Sequence, residues 1–185
     1  MLEYKIENQK YQKLADEFLA SSNILAVLKK YGDVEFSGAY PAKLMMHGDV
    51  DIKVARDKVF SQEEIFNIFK DIYFNAEFKS YFIMGDWNDP RLGNEFPNGR
   101  YIGLKTKIDN ETWKFDIWFV SKVEMERLEK EKPPIANIRL SSGQRETILK
   151  FKKHRKDKRL KMTGQQIYDL VLQGAKYIKE LESLN

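Results

Sequence analysis

Two stretches of this chain alternate with a period that only an extended strand satisfies. Val50, Ile52 and Val54 recur at every second position, and so do Trp113, Phe115, Ile117 and Phe119. Strand side chains point alternately to opposite faces of a sheet, so each stretch offers one face to a core and leaves the other for a different use. That other face carries acid: Asp49 and Asp51 on the first stretch, Asp116 on the second. Aspartate is depleted in strands, which makes its place here informative. Two carboxylates side by side on one face repel, and a bound cation is a common remedy. The plainer alternative is a strand edge with two solvated aspartates. Asp116 sits inside an apolar strand, where an unpaired charge is costly to bury. It calls for a partner, either a metal shared with Asp49 and Asp51 or a salt bridge to a lysine.

Composition narrows the choice of metal. The chain has no cysteine and only two histidines, His47 and His154, which excludes thiolate sites and makes zinc a poor candidate. An oxygen-only ligand set suits magnesium, with manganese as a substitute. The net charge of +4 is a mild bias toward anionic partners such as phosphates. No apolar run approaches the roughly 20 residues needed to span a bilayer, and the polar, acid-containing first residues do not read as a signal peptide. A cytoplasmic protein without membrane contact is the expectation.

The remaining periodicities place these strands in a mixed domain. Residues 8–31 read as helix, with Ser21-Ser22-Asn23 as a candidate break, and 34–36 and 50–55 as strands. Residues 61–75 open with Ser61 as a cap and Glu63 and Glu64 at the positive end of the helix dipole. Strands follow at 79–85, 101–108 and 112–120, the last two joined by the tight-turn pair Asp109-Asn110. Helices are expected over 121–131, 143–157 and 164–183. The fold class is therefore α/β or α+β: a mixed β-sheet flanked by helices, with a helical C-terminal part. A catalytic domain over 1–132 and a helical extension over 133–185 packed on it are the expected organisation.

Ser37-Gly38, a Met-rich turn, Gly48-Asp49-Val50-Asp51-Ile52 and the later Phe115-Asp116-Ile117 occur in that order. Together, over residues 33–120, they resemble the nucleotidyltransferase superfamily of DNA polymerase beta, and in particular its small bacterial members such as the lincosamide and aminoglycoside nucleotidyltransferases. The superfamily pattern has Gly-Ser where this chain has Ser37-Gly38. The resemblance implies a nucleotidyltransferase-type fold. It also implies a metal-dependent enzyme that moves a nucleoside monophosphate from a nucleoside triphosphate to a hydroxyl, with a small molecule such as an antibiotic as the expected acceptor. Asp49 and Asp51 would hold Mg2+ and the triphosphate. Asp116 would bind metal beside the acceptor hydroxyl and take its proton, and Ser37 and Gly38 would donate to phosphate. The alternatives are a toxin–antitoxin type module acting on a protein or RNA partner, or a non-catalytic nucleotide-binding module. Monomer and homodimer are both compatible with the sequence.

Other residues carry two readings each. Lys53 shares a face with Asp49 and Asp51 and is placed to pair with a phosphate or with the aspartates. His47 either touches the nucleotide or is an ordinary turn histidine. The loop from Gly85 to Arg91 offers Trp87 for stacking, and Arg91 and Arg100 are phosphate donors by charge type. The basic run 150–161 is either a patch for triphosphate or RNA, or a solvated helix face.

Overall fold

The computed structural model describes residues 2–76, 78 and 97–183, together with the backbone of 80–84. The loop that carries Trp87 and Arg91 lies outside the described residues. Five strands form one mixed sheet in the order β1-β2-β5-β4-β3. They are β1 (Asp33–Ser37), β2 (Asp49–Arg56), β3 (Ser80–Met84), β4 (Gly99–Ile108) and β5 (Glu111–Ser121). Among the described residues β2 and β5 pair in parallel and the other neighbours are antiparallel. The helices are α1 (Glu3–Ser21), α2 (Ile24–Leu28), α3 (Gln62–Asn75), α4 (Lys122–Glu131), α5 (Ser142–Lys158), α6 (Gly164–Leu172) and α7 (Ile178–Glu182). Among the described residues no helix is long and apolar enough to cross a membrane.

The alternation expected of the two key strands is realised. Val50, Ile52 and Val54 of β2 and Trp113, Phe115, Ile117 and Phe119 of β5 are all buried in one cluster. The same cluster takes Ala15 and Leu19 from α1, Ile24 and Leu28 from α2, and Ile65, Ile68 and Ile72 from α3. A second cluster joins α5, α6 and α7 to Leu44 and Met46 of the β1–β2 connection.

Local chemistry accounts for the element ends. Ser61 caps α3 in a reciprocal box with Glu64, and Ser141 and Thr163 do the same for α5 and α6 with Gln144 and Gln166. Asp109 and Asn110 both take positive φ, 51° and 62°, which is the two-residue hairpin turn their types favour. The break near Ser21-Ser22-Asn23 is real: α1 stops at Ser21 and α2 begins at Ile24. The single helix expected over 164–183 is instead two. Gly174 adopts φ +105°, and the amides of Gly174 and Ala175 turn back to the carbonyls of Val171 and Leu170. This is a helix-ending turn that a residue without a Cβ readily accepts. The apolar period runs through the break, because Ile167, Val171, Ala175 and Leu181 still meet in one cluster.

Gly48 fixes the entry to β2. Its carbonyl accepts from the amide of Lys114 at 3.0 Å, and a Cβ placed on it would lie 2.5 Å from Cγ and 2.7 Å from Cδ1 of the fully buried Trp113. The indole has no free direction in the packed core. Gly48→Ala is expected to lower unfolding free energy by about 1–3 kcal/mol, as overpacked cores do. Urea denaturation measures this, and an unchanged midpoint would show that the indole has room to retreat.

Candidate active site

The site is built by strand register. In the parallel pair, Asp51 lies beside Asp116 and Asp49 beside Lys114. Ser37 of β1 lies opposite Asp51, and Gly103 of β4 opposite Asp116. Directly paired residues share a face, so Ser37, Asp51, Asp116 and Gly103 form one row across the sheet, with Asp49 and Lys114 one step along. The three sequence-predicted carboxylates are thus brought together on the face away from the main core.

Their environments differ. Asp49 Oδ1 is buried without a hydrogen-bond partner among the described residues. Burial and the Asp116 charge raise the Asp49 pKa against the pull of Lys114, Lys152 and Arg155. Asp51 is pushed up to about 7, first by burial and then by Asp49 and Asp116. Asp116 is satisfied at both oxygens: the Tyr101 hydroxyl donates to Oδ1 and the Lys114 ammonium pairs with Oδ2. Burial disfavours the Lys114 ammonium, but Asp116, Asp49 and Asp51 outweigh it and raise its pKa. Gly103 makes this arrangement possible, since a Cβ there would fall 2.7 Å from the Tyr101 hydroxyl.

Gly38 is brought against the carboxylates as well. It has φ +68°, and a Cβ on it would overlap Oδ2 of Asp51, so both its backbone conformation and its neighbour require glycine. Lys53 lies on the same face but further along β2, beside Glu35 and Trp118 rather than beside the aspartates. Arg100 instead donates to the carbonyl of Phe60 at 3.4 Å.

A basic wall from α5 completes the site, and sequence reasoning missed its division of labour. The run 150–161 does not form a uniform face. Lys150 pairs with Glu146, Lys153 with Asp157 and Lys156 with Glu7. Three α5 side chains hold alternate carbonyls of the β1–β2 connection: Arg145 reaches Ala42, Lys152 reaches Leu44 and Lys156 reaches Met46, at 2.6, 2.8 and 3.2 Å. Lys152 is 2% exposed and also donates to the Tyr168 hydroxyl of α6 at 2.7 Å. Burial and Arg155 push it down to about 7, with Asp49 and Asp51 opposing. Arg155 contacts Nε2 of His47 at 3.1 Å. A guanidinium only donates, so the imidazole accepts and is neutral. Burial and the charges of Lys152, Arg155, Lys156 and Lys114 hold His47 at about 4. The missed signal was periodic: Lys152 falls on the buried stripe of α5 with Ile148 and Phe151.

The donor set suits a hard divalent cation. Its ligands are carboxylates, one buried oxygen lacks a partner, and the Asp49–Asp51 pair resists ionisation without a counter-charge. Among the described residues, however, no three acidic or histidine side chains converge into a ready cage. Asp116 is turned to Lys114 and Tyr101 instead.

No family model matches the sequence, and no curated protein matches it. Several solved structures share its fold, among them two RNA transferases. Cid1, an RNA terminal uridylyl transferase, aligns with a TM-score of 0.53 and 13% identity over 83% of this chain and 44% of its own. A cytoplasmic RNA terminal U-transferase aligns with a TM-score of 0.57 and 14% identity over 91% of this chain and 49% of its own. This chain therefore spans about half the length of these neighbours. The mixed sheet flanked by helices described above matches the nucleotidyltransferase fold of these neighbours.

Proposed function

We propose that the chain transfers a nucleoside monophosphate from a nucleoside triphosphate to a hydroxyl acceptor. The observation that carries this reading is the pairing of Asp51 with Asp116 on adjacent parallel strands, next to Asp49 and within electrostatic reach of Lys152 and Arg155 of α5. Asp49, Asp51 and Asp116 would hold Mg2+ or Mn2+, which supplies positive charge to the triphosphate and acidifies the attacking hydroxyl. Arg155, only partly buried, would hold the phosphates beyond the transferred one, with His47 aiming its guanidinium, while Lys152 is engaged by Leu44 and Tyr168 and fixes the wall behind them. Ser37 and Gly38 approach the phosphates from the β1 side, while Lys53 stands further out. The acceptor oxygen attacks the α-phosphorus, the bond to the bridging oxygen breaks, and pyrophosphate leaves with that electron pair. Asp116 accepts the hydroxyl proton, for which a nearby carboxylate is suited.

Two acceptor classes follow from different observations. The pairing of Lys150, Lys153 and Lys156 with acids leaves the basic run poorly suited as an RNA track, which favours a small hydroxylated molecule. The likeness to RNA terminal uridylyl transferases favours an RNA end. Incubation with each α-labelled nucleoside triphosphate and Mg2+ tests both, with an RNA oligonucleotide in one arm and aminoglycosides or lincosamides in the other. Label is expected on one acceptor and none after chelation of the metal. Absence of label from every acceptor, with no nucleotide bound, would overturn the enzyme reading.

A further inference from the structure

The ion pair between Lys114 and Asp116 is not needed to hold the strands, which already pair through their backbones. Lys114 is two residues before Asp116 on β5, and its strand neighbour is Asp49. Its ammonium therefore rises from the middle of the carboxylate face and is bonded to Oδ2 of Asp116. Tyr101 takes the other oxygen. Both oxygens of Asp116 are thus engaged by protein groups, and among the described residues no three acids converge into a cage. The Lys114 side chain is 47% exposed while Asp116 is 13% exposed. The lysine can thus swing into water on its four-carbon stem, whereas the aspartate stays where the strand puts it.

We infer that Lys114 is a built-in counter-ion which occupies the cation seat at Asp116 and must release it before a divalent metal can use all three aspartates. This rests on the metal site proposed above. Lys114 is then a positioning residue that sets metal affinity: it keeps the third carboxylate neutralised in the metal-free chain and exchanges places with the ion. Binding of the two cations is mutually exclusive at that carboxylate, so by linkage each weakens the other by the same factor.

Mn2+ titration followed by the electron paramagnetic resonance of the free ion tests this on the full chain without nucleotide. Four proteins are compared: the parent, Lys114→Met, Lys114→Arg and Asp116→Asn. Lys114→Met is expected to bind Mn2+ at least roughly tenfold tighter than the parent, the scale on which a neighbouring charge shifts a carboxylate's occupancy. Lys114→Arg retains the competing charge and is expected to stay near the parent. Lys114→Met is also expected to melt lower than the parent without metal, and the gap is expected to close in saturating Mn2+. If Asp116→Asn weakens Mn2+ binding but Lys114→Met binds no more tightly than the parent, the counter-ion role is overturned and the metal site stands. If the parent and Asp116→Asn bind Mn2+ alike, or neither binds it, the metal site itself falls and the counter-ion role with it.

Discussion

Asp116→Asn is expected to reduce nucleotidyl transfer by roughly a thousandfold while the chain remains folded, with a melting temperature close to the parent's. The scale is that of removing a single group which acts only on the reacting centre. The fold should survive because asparagine has the shape of aspartate and still offers an oxygen to the Tyr101 hydroxyl. Lys114, about half exposed, recovers its hydration in water once its partner is neutral. The strand itself is held by Trp113, Phe115, Ile117 and Phe119 on its other face, which the substitution does not touch. Activity should fall because an amide neither accepts the hydroxyl proton nor holds a hard cation as a carboxylate does. Single-turnover transfer, alongside thermal melting of both proteins, separates the two effects. A variant that kept a tenth or more of the parent rate would remove Asp116 from the role of base.

The contrast between Asp116 and the α5 cations explains how much of this site was legible in the sequence. Strand alternation is local, so the face shared by Asp49 and Asp51, and the opposition of Asp116 to its apolar neighbours, followed from residues two apart. The pairing of β2 with β5 is a long-range fact that the sequence did not show; the likeness to a known superfamily implied only that Asp116, on a later strand, shares a metal with the first two, and the register puts Asp51 beside it. The hairpin at Asp109-Asn110 and the cap at Ser61 were equally local and are present as expected. Lys152 was different. A lysine in a basic run gives no local sign that it is buried; that depends on Leu44 and Tyr168, far away along the chain. Only its position on the Ile148–Phe151 stripe pointed inward. The split of the last helix failed for the opposite reason. The apolar period over 164–183 was intact and masked Gly174, whose positive φ ends α6 without disturbing the face.

The second large effect concerns stability rather than rate. Asp51 is pushed up to about 7 from an ordinary value near 3.8 by burial and by the charges of Asp49 and Asp116. The folded chain therefore holds this proton more tightly than the unfolded chain. Its contribution to stability is full below the ordinary carboxylate range and is lost as pH rises from about 4 through about 7. Other groups oppose this trend. His47, held at about 4, and Lys152, held at about 7, favour the folded state increasingly at higher pH. The stability of the parent alone mixes these contributions, whereas its difference from Asp51→Asn isolates the one that titrates at position 51. Asparagine cannot ionise, so the variant is expected to gain on the metal-free parent as pH rises. The gain should reach the order of 4 kcal/mol above pH 7, the free energy of a shift of this size. Magnesium should shrink the gap, because an ion that binds only the folded parent's carboxylates stabilises it by mass action, while the variant has lost one of the ligands. Urea denaturation of both proteins across pH 4 to 8, with chelator and then with Mg2+, measures each term. A difference that stays flat with pH would mean that Asp51 is already ionised and neutralised by the α5 cations, and the like-charge pair would then provide no drive for metal binding.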